Sequence, residues 1–380
     1  MLRPSTRSIL AAHYRTGETF EFRLQGGRLI SRERVRQAAT AIFGPGFVDL
    51  QCNGYAGVDF NRCETEPIVI AGAIRAMWEH GCTTVLPTFI TAAPEGLDEY
   101  LSDVDTALKG DAEAARSVPC FHLEGPFISP VDGARGAHPE AHVRPVEPRL
   151  WRRWQKAADG RIGLVTLAPE VRGAMPFIQK LRAEKVLPAL GHTLADAERV
   201  ALAVDAGAML STHLGNGCPQ MVHRHLNPIF AQLGEDRLLA SFIADGVHLP
   251  PEVLRSLWRA KGGGVLVTDA MAAAGAPPGH YSIGDLEVEV GADRIVRQPG
   301  TANLAGSALT MNEAVANLVR IARVPLADAW DAASLIPWAL LRQAGSVRGP
   351  LGSTVLASWT NGELKPLAAL RGTKVLWTGK

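Results

Sequence analysis

Eight short apolar runs punctuate the chain, and each closes on polar residues. After the turn Gly44-Pro45-Gly46 they are GFVDLQCNG from Gly46, CTTVLPTF from Cys82, CFHLEGPF from Cys120 and IGLVTLAPE from Ile162. LPALGHT from Leu187, AMLSTHLGNG from Ala208, LASFIADGVH from Leu239 and GVLVTDAM from Gly264 complete the set. Most gaps between them carry amphipathic segments of helical period, among them Glu66 to Glu79, Ala174 to Lys185, Ala195 to Ala206 and Pro251 to Lys261. Continuously apolar strands alternating with helices belong to a parallel sheet buried on both faces. Eight of them fit a closed (β/α)8 barrel of the TIM type better than an open, doubly wound α/β sheet. The open sheet would want a phosphate-binding glycine turn after its first strand, and the chain holds no GxGxxG.

The barrel is expected over residues 45–344, and the two ends depart from its rhythm. Residues 1–44 include FEFRLQGGRLIS, two short strands about a Gly-Gly turn. Residues 345–380 contain STVLASWTNGELKPLAALRGTKVLWTGK, again short β pieces. Chain termini often lie close together, so the two segments are expected to pair into one small β domain.

Composition narrows the function classes. With 380 residues, 47% apolar and 20% charged, the chain matches an ordinary globular protein with a large core. The formal net charge is +1 without a block of like charges, which argues against a nucleic-acid partner. Only the short run Val222-His223-Arg224-His225 keeps an acidic small-molecule substrate open. Five cysteines (Cys52, Cys63, Cys82, Cys120 and Cys218) form no CxxC pair, so no disulfide framework is expected. The N-terminus carries Arg3 and Arg7 without an apolar signal core, and no apolar run reaches membrane-spanning length. A soluble, cytoplasmic protein with no membrane contact is the expectation.

In a barrel of this kind chemistry sits at the C-terminal strand ends. Reading those ends in order gives Gln51, Asn53, Glu124, His192, His213, His248 and Asp269. A Glu–His–His set on strands three, five and six suits Zn²⁺ and leaves a fourth position for water, although imidazole also suits iron or another divalent ion. Taken singly, a histidine after an apolar strand is more often a hydrogen-bonded structural residue, and Asp269 alone fits a helix cap. All four at one end of one barrel favour a catalytic site. Asp269 is then the candidate general base. His122 precedes Glu124 by two residues and shares its face, one layer deeper, where a structural role is expected.

The motifs PGFVDLQCNG, HLEGPFISP with RGAHP, LAPE, GHTLADAE, THLGNG, FIADGVHLPPEVL, LVTDAM and LAGSALTMNEAV run in this order from Pro45 to about Val315. In them the chain resembles the N-acetylglucosamine-6-phosphate deacetylase family of the amidohydrolase superfamily. The resemblance implies a (β/α)8 barrel with a small β-sandwich domain built from both chain ends. It makes Glu124, His192 and His213 the ligands of one divalent metal ion per subunit and Asp269 the catalytic acid/base. Where many amidohydrolases carry an HxH pair for a second metal, this chain has Gln51-Cys52-Asn53, which looks like the single-metal variant. Gln51 and Asn53 then count among the substrate contacts, with Cys52 turned away. The resemblance further implies that His138 polarises the acetyl carbonyl and that Leu304 to Ser307 line the acetyl end. The sugar phosphate would meet the backbone of Asn216 and Gly217, together with Arg224 and His248. Arg224 looks as if it reaches the neighbouring subunit's site, which implies a homodimer.

The implied activity is metal-dependent deacetylation of N-acetylglucosamine-6-phosphate to glucosamine-6-phosphate and acetate. The chain departs from the family pattern at Gly215-Asn216-Gly217-Cys218, at His225-Leu226-Asn227-Pro228 and in its C-terminal segment. The first two departures fall in the loop that reads sugar and phosphate, so another N-acyl amino sugar remains an alternative substrate. Cys218 there reads as a small apolar filler. An amidohydrolase for N-acyl amino acids or cyclic amides is a rival; the missing HxH and the missing carboxylated-lysine context at LAPE count against its two-metal forms. A barrel that has lost catalysis and serves as a scaffold is the other rival, opposed by the intact Glu–His–His–Asp set.

Overall fold

The computed structural model describes residues 6–62, 66–299 and 304–379; Arg3 and Cys63 lie outside them. Eight parallel strands stand side by side in chain order: Phe47–Cys52, Cys82–Phe89, Phe121–Glu124, Ile162–Leu167, Leu187–Leu190, Leu210–Ser211, Leu239–Ile243 and Val265–Val267. Each falls inside one of the eight apolar runs. Every residue of the first five is buried, because the barrel interior covers one face and the helices cover the other.

The ring closes between the first and last strands. A parallel bridge joins Cys52 to Ala270, and the Asp269 N–H donates to the Gln51 carbonyl at 3.0 Å. Below this seam the buried Asp49 accepts from Thr268 Oγ1 at 2.5 Å and from the N–H groups of Gln51 and Thr268 at 3.2 Å each. Burial pushes its carboxyl up to about 7.

The outer helices include Pro67–Ala76, Pro94–Gly110, Pro148–Ala157, Pro228–Leu233 and Pro251–Lys261, all of which begin with proline. Its fixed φ and missing N–H suit a first helical turn. The segment expected as one helix from Glu66 changes at Met77–His80 into a 3-10 turn, which brings Trp78 Nε1 to Ser117 Oγ at 3.0 Å. The helix expected from Ala195 spans Ala197–Ala206, because the Asp196 side chain caps it by accepting from the Arg199 N–H at 2.8 Å.

Two sheets flank the barrel. Arg7–His13, Thr19–Gln25, Arg28–Arg34 and Ala41–Pro45 join Ser353–Thr360, Glu363–Arg371 and Lys374–Thr378 in one small β unit from both chain ends. Its layers are continuous: Ala41–Pro45 pairs with both Arg7–His13 and Ser353–Thr360, so the sheet closes around Phe22, Phe43, Leu356 and Leu370. After the last barrel strand comes an antiparallel insert, Gly279–Ile283, Leu286–Val290 and Val296–Arg297, absent from the expectations above. Its Ile283, Val288 and Val290 pack with Ile90, Met271 and Ala305 at the mouth of the barrel. No helix among the described residues is long and apolar enough to cross a membrane.

Candidate active site

Glu124 ends the third strand, and His192 and His213 stand two residues beyond the fifth and sixth. Glu124 Oε1 lies 3.0 Å from His213 Nε2 and 3.3 Å from His192 Nε2, and the two imidazole nitrogens are 3.2 Å apart. Among the described residues this is the one group of three or more His, Cys, Asp or Glu whose ligand atoms converge, all within 4.8 Å of one another. The donor set fits a divalent ion. His192 Nδ1–H donates to the Ala134 carbonyl at 2.9 Å, which leaves its Nε2 lone pair directed at the cluster. Burial works to raise the Glu124 carboxyl, but hydrogen bonds and charge from His192 and His213 outweigh it and hold the group well below its ordinary value.

The backbone is bent to achieve this. His192, His213 and Asp269 have φ of 51°, 32° and 50°, the left-handed region that side-chain-bearing residues avoid at a cost of ~1–3 kcal/mol each. The turn swings each side chain inward immediately after its strand. Gly217, at φ +61°, makes room for one of them: a Cβ there would lie 3.0 Å from His192 Nδ1.

Asp269 faces the cluster through shared amides. Its Oδ1 accepts from Asn53 Nδ2 at 2.8 Å and from Gln51 Nε2 at 3.2 Å, and the same Gln51 nitrogen donates to Glu124 Oε1 at 2.9 Å. Two neighbouring carboxylates thus share a neutral donor. Burial and the charge on Glu124 push the Asp269 carboxyl up to about 6. Asn53 lines the cavity above. Gln51 is buried, and its Nε2 is given to the two carboxylates.

The cavity measures about 620 Å³, within the range for a small-molecule site. Its floor is Glu124, His192, His213 and Asp269, with His138 beside them. The His138 ring centroid is 4.4 Å from that of His192, and burial together with His192 lowers its pKa to about 3, so the ring is neutral. His138 Nδ1 is engaged by Thr91, whose Oγ1 is 2.8 Å away and whose N–H is 3.3 Å away.

His248 also lines the cavity, fixed by Asp245, which the sequence alone does not single out. Asp245 Oδ2 lies 2.6 Å from His248 Nδ1, and its Oδ1 accepts from the N–H groups of Val247 and His248 at 2.9 Å each. Leu304, Ala305, Ile90 and Ile283 form an apolar side of the cavity. Ser307 is not part of it, since its hydroxyl donates downward to the Thr268 carbonyl at 2.6 Å.

Asn216 and Gly217 both line the cavity, but the Asn216 N–H already donates to the His213 carbonyl at 2.9 Å, joined by its own Nδ2 at 3.2 Å. That backbone donor is therefore spent on holding a cluster residue in place. Arg224 is exposed and absent from the cavity walls of its own chain. Its loop also presents Met221, 90% exposed, and Leu226, 80% exposed. His122 is buried one layer down with Nε2 2.8 Å from Thr166 Oγ1, and burial lowers its pKa to about 4. Cys52 is buried and donates to the Gly54 carbonyl at 3.3 Å, with burial pushing its thiol well above the ordinary range, whereas Cys218 lines the cavity. The four described cysteines are free thiols.

The sequence profile of the amidohydrolase family matches residues 42–342. The chain is similar to the N-acetylglucosamine-6-phosphate deacetylase of Mus musculus, 35% identical over 342 residues that cover 84% of this chain and 81% of that one. It is also similar to the N-acetylgalactosamine-6-phosphate deacetylase of Escherichia coli O157:H7, 33% identical over 84% of this chain and 82% of that one. Its structure is similar to that of a mutant N-acetyl-D-glucosamine-6-phosphate deacetylase from Mycobacterium smegmatis in complex with N-acetyl-D-glucosamine-6-phosphate. The TM-score is 0.82 at 28% identity, over 98% of this chain and 100% of that chain.

Proposed function

Since the chain belongs to the amidohydrolase family and, within it, to the N-acetylglucosamine-6-phosphate deacetylases, we propose that it hydrolyses the acetamide of N-acetylglucosamine-6-phosphate to glucosamine-6-phosphate and acetate. The observation that carries this reading is the convergence of Glu124, His192 and His213 on one point, with Asp269 tied to them through Gln51.

Glu124, His192 and His213 would hold one divalent ion, for which zinc suits the donors. When bound, it supplies a Lewis acid that polarises oxygen at the reacting centre. Asp269, with its carboxyl raised towards neutrality, takes a proton from the attacking water as the new C–O bond forms. It returns that proton to the nitrogen as the C–N bond breaks, and the amine and acetate leave. His138, neutral, donates a hydrogen bond to the carbonyl oxygen as negative charge gathers there. Ile90, Ile283, Leu304 and Ala305 take the acetyl methyl.

His248, braced by Asp245, and Gly217, both lining the cavity, would face the phosphorylated end of the sugar. Arg224 serves the site of a second copy in a homodimer; its exposure away from its own cavity, on a loop that also bares Met221 and Leu226, supports this. Catalysis belongs to the barrel, 45–344, with 1–44 and 345–380 as a supporting domain. The free thiols fit a reducing, cytoplasmic setting.

A second reading, the galactosamine epimer, is favoured by the relative from Escherichia coli O157:H7 and by the departures in the loop that includes Gly215-Asn216-Gly217-Cys218. Acetate release from both phosphorylated epimers and from unphosphorylated N-acetylglucosamine, with metal supplied, separates the cases. Preference for either phosphorylated sugar assigns the epimer. Equal turnover with and without the phosphate would remove the roles of His248 and Arg224.

A further inference from the structure

We infer that Thr91 is a positioning residue of this site, which locks His138 in the tautomer with its proton on Nε2 and so makes it a dedicated hydrogen-bond donor. The inference rests on the reading above that His138 meets the acetyl carbonyl, and it goes further by saying how a neutral imidazole is kept in the one form that helps.

Thr91 is buried two residues past the second barrel strand, Cys82–Phe89. Both its polar groups converge on one atom: the backbone N–H lies 3.3 Å and Oγ1 2.8 Å from His138 Nδ1. A backbone N–H can only donate, so Nδ1 receives it with a lone pair and carries no proton. That disfavours the imidazolium, in which both nitrogens are donors, and the Nδ1–H tautomer; the backbone contact is long at 3.3 Å, so the hydroxyl at 2.8 Å carries most of the lock. The single ring proton sits on Nε2. With Nδ1 an acceptor, the Thr91 hydroxyl donates to it as well.

Both ring hydrogen bonds run through Nδ1, so the Nε2–H edge is the one His138 offers to the cavity it lines. An oxygen gaining negative charge needs a donor there. The other tautomer would turn a lone pair towards that oxygen and repel it. The rest of the ring's frame is equally constrained. Arg135 Nη1 donates to the His138 carbonyl at 2.8 Å and fixes the main chain. Opposite Thr91, a Cβ at Gly125 (φ +79°) would lie 2.3 Å from Oγ1. The residue after Glu124 must therefore lack a side chain for the hydroxyl to occupy its place.

The test uses the full chain, metal-loaded and labelled with ¹⁵N in histidine, with the His138 resonances assigned by their loss in His138→Gln. In the unsubstituted protein Nδ1 should show the unprotonated, hydrogen-bonded signature and Nε2 the protonated one. Thr91→Val, which keeps shape and loses the hydroxyl, should move the Nδ1 resonance and lower kcat about tenfold with KM within about twofold. Thr91→Ser should restore both. A proton on Nδ1 in the unsubstituted protein overturns the inference. So does a Thr91→Val protein that keeps the original Nδ1 resonance, or a folded Thr91→Ser protein that fails to recover it. The spectrum needs no substrate, so failure here is distinct from failure of the deacetylase reading, which would appear as absent acetate release by the unsubstituted enzyme.

Discussion

Replacing Gln51 with methionine, of similar length but without donors, should move the acid side of the pH–rate profile. In the structure Gln51 Nε2 donates to Asp269 Oδ1 at 3.2 Å and to Glu124 Oε1 at 2.9 Å. A hydrogen bond to a charged acceptor contributes ~1.5–3 kcal/mol, and the longer contact to Asp269 belongs at the low end of that range. About 1.4 kcal/mol corresponds to one pKa unit. The sign follows from the donor: an N–H favours the ionised carboxylate, so its loss raises the pKa of a group that burial and Glu124 already push up to about 6. Asn53 still holds the same oxygen at 2.8 Å, so the carboxylate keeps its orientation. The acid limb of kcat/KM reports the free enzyme's essential base, and in Gln51→Met it should lie about one unit above the unsubstituted limb. The assay is acetate release between about pH 5 and 9, with metal content measured in every sample. A limb that stays in place, or moves to lower pH with metal retained, would refute the role given to the shared amide.

Two other substitutions probe the same floor. Asp269→Asn keeps the shape and loses the base, so turnover should fall by about 10³-fold or more while metal content, read by elemental analysis, is unchanged. Gly217→Ala combines a strained φ of +61° with a Cβ 3.0 Å from His192 Nδ1, so metal affinity in a chelator competition should drop roughly tenfold.

The barrel is legible in the sequence because strands buried on both faces must be continuously apolar, and Glu124, His192, His213 and Asp269 stand out where those runs turn polar. What the sequence hides is how side chains are spent. The residue type of Gln51 suits a substrate contact as well as a bridge between carboxylates, and its partners lie 73 and 218 positions away. The backbone N–H of Asn216 carries no mark in the sequence that it is already donated to His213. Thr91 has a common hydroxyl with no signature of chemistry until the ring of His138 is placed beside it. The insert after the last barrel strand did leave a signal: Gly284-Asp285 between Tyr281-Ser282-Ile283 and the alternating Leu286-Glu287-Val288-Glu289-Val290 is a hairpin pattern. Arg224 is the opposite case: its residue type stands out beside His223 and His225, yet it is exposed and stands away from the cavity of its own chain.

The proposed hydrolysis needs an ion at Glu124, His192 and His213. Its most direct test is acetate release from N-acetylglucosamine-6-phosphate by chelator-stripped protein titrated with zinc. Activity should be negligible in the stripped protein and rise in proportion to added metal, levelling at one ion per chain. Full activity without metal, or no acetate from the phosphorylated sugar at full metal occupancy, would contradict the account.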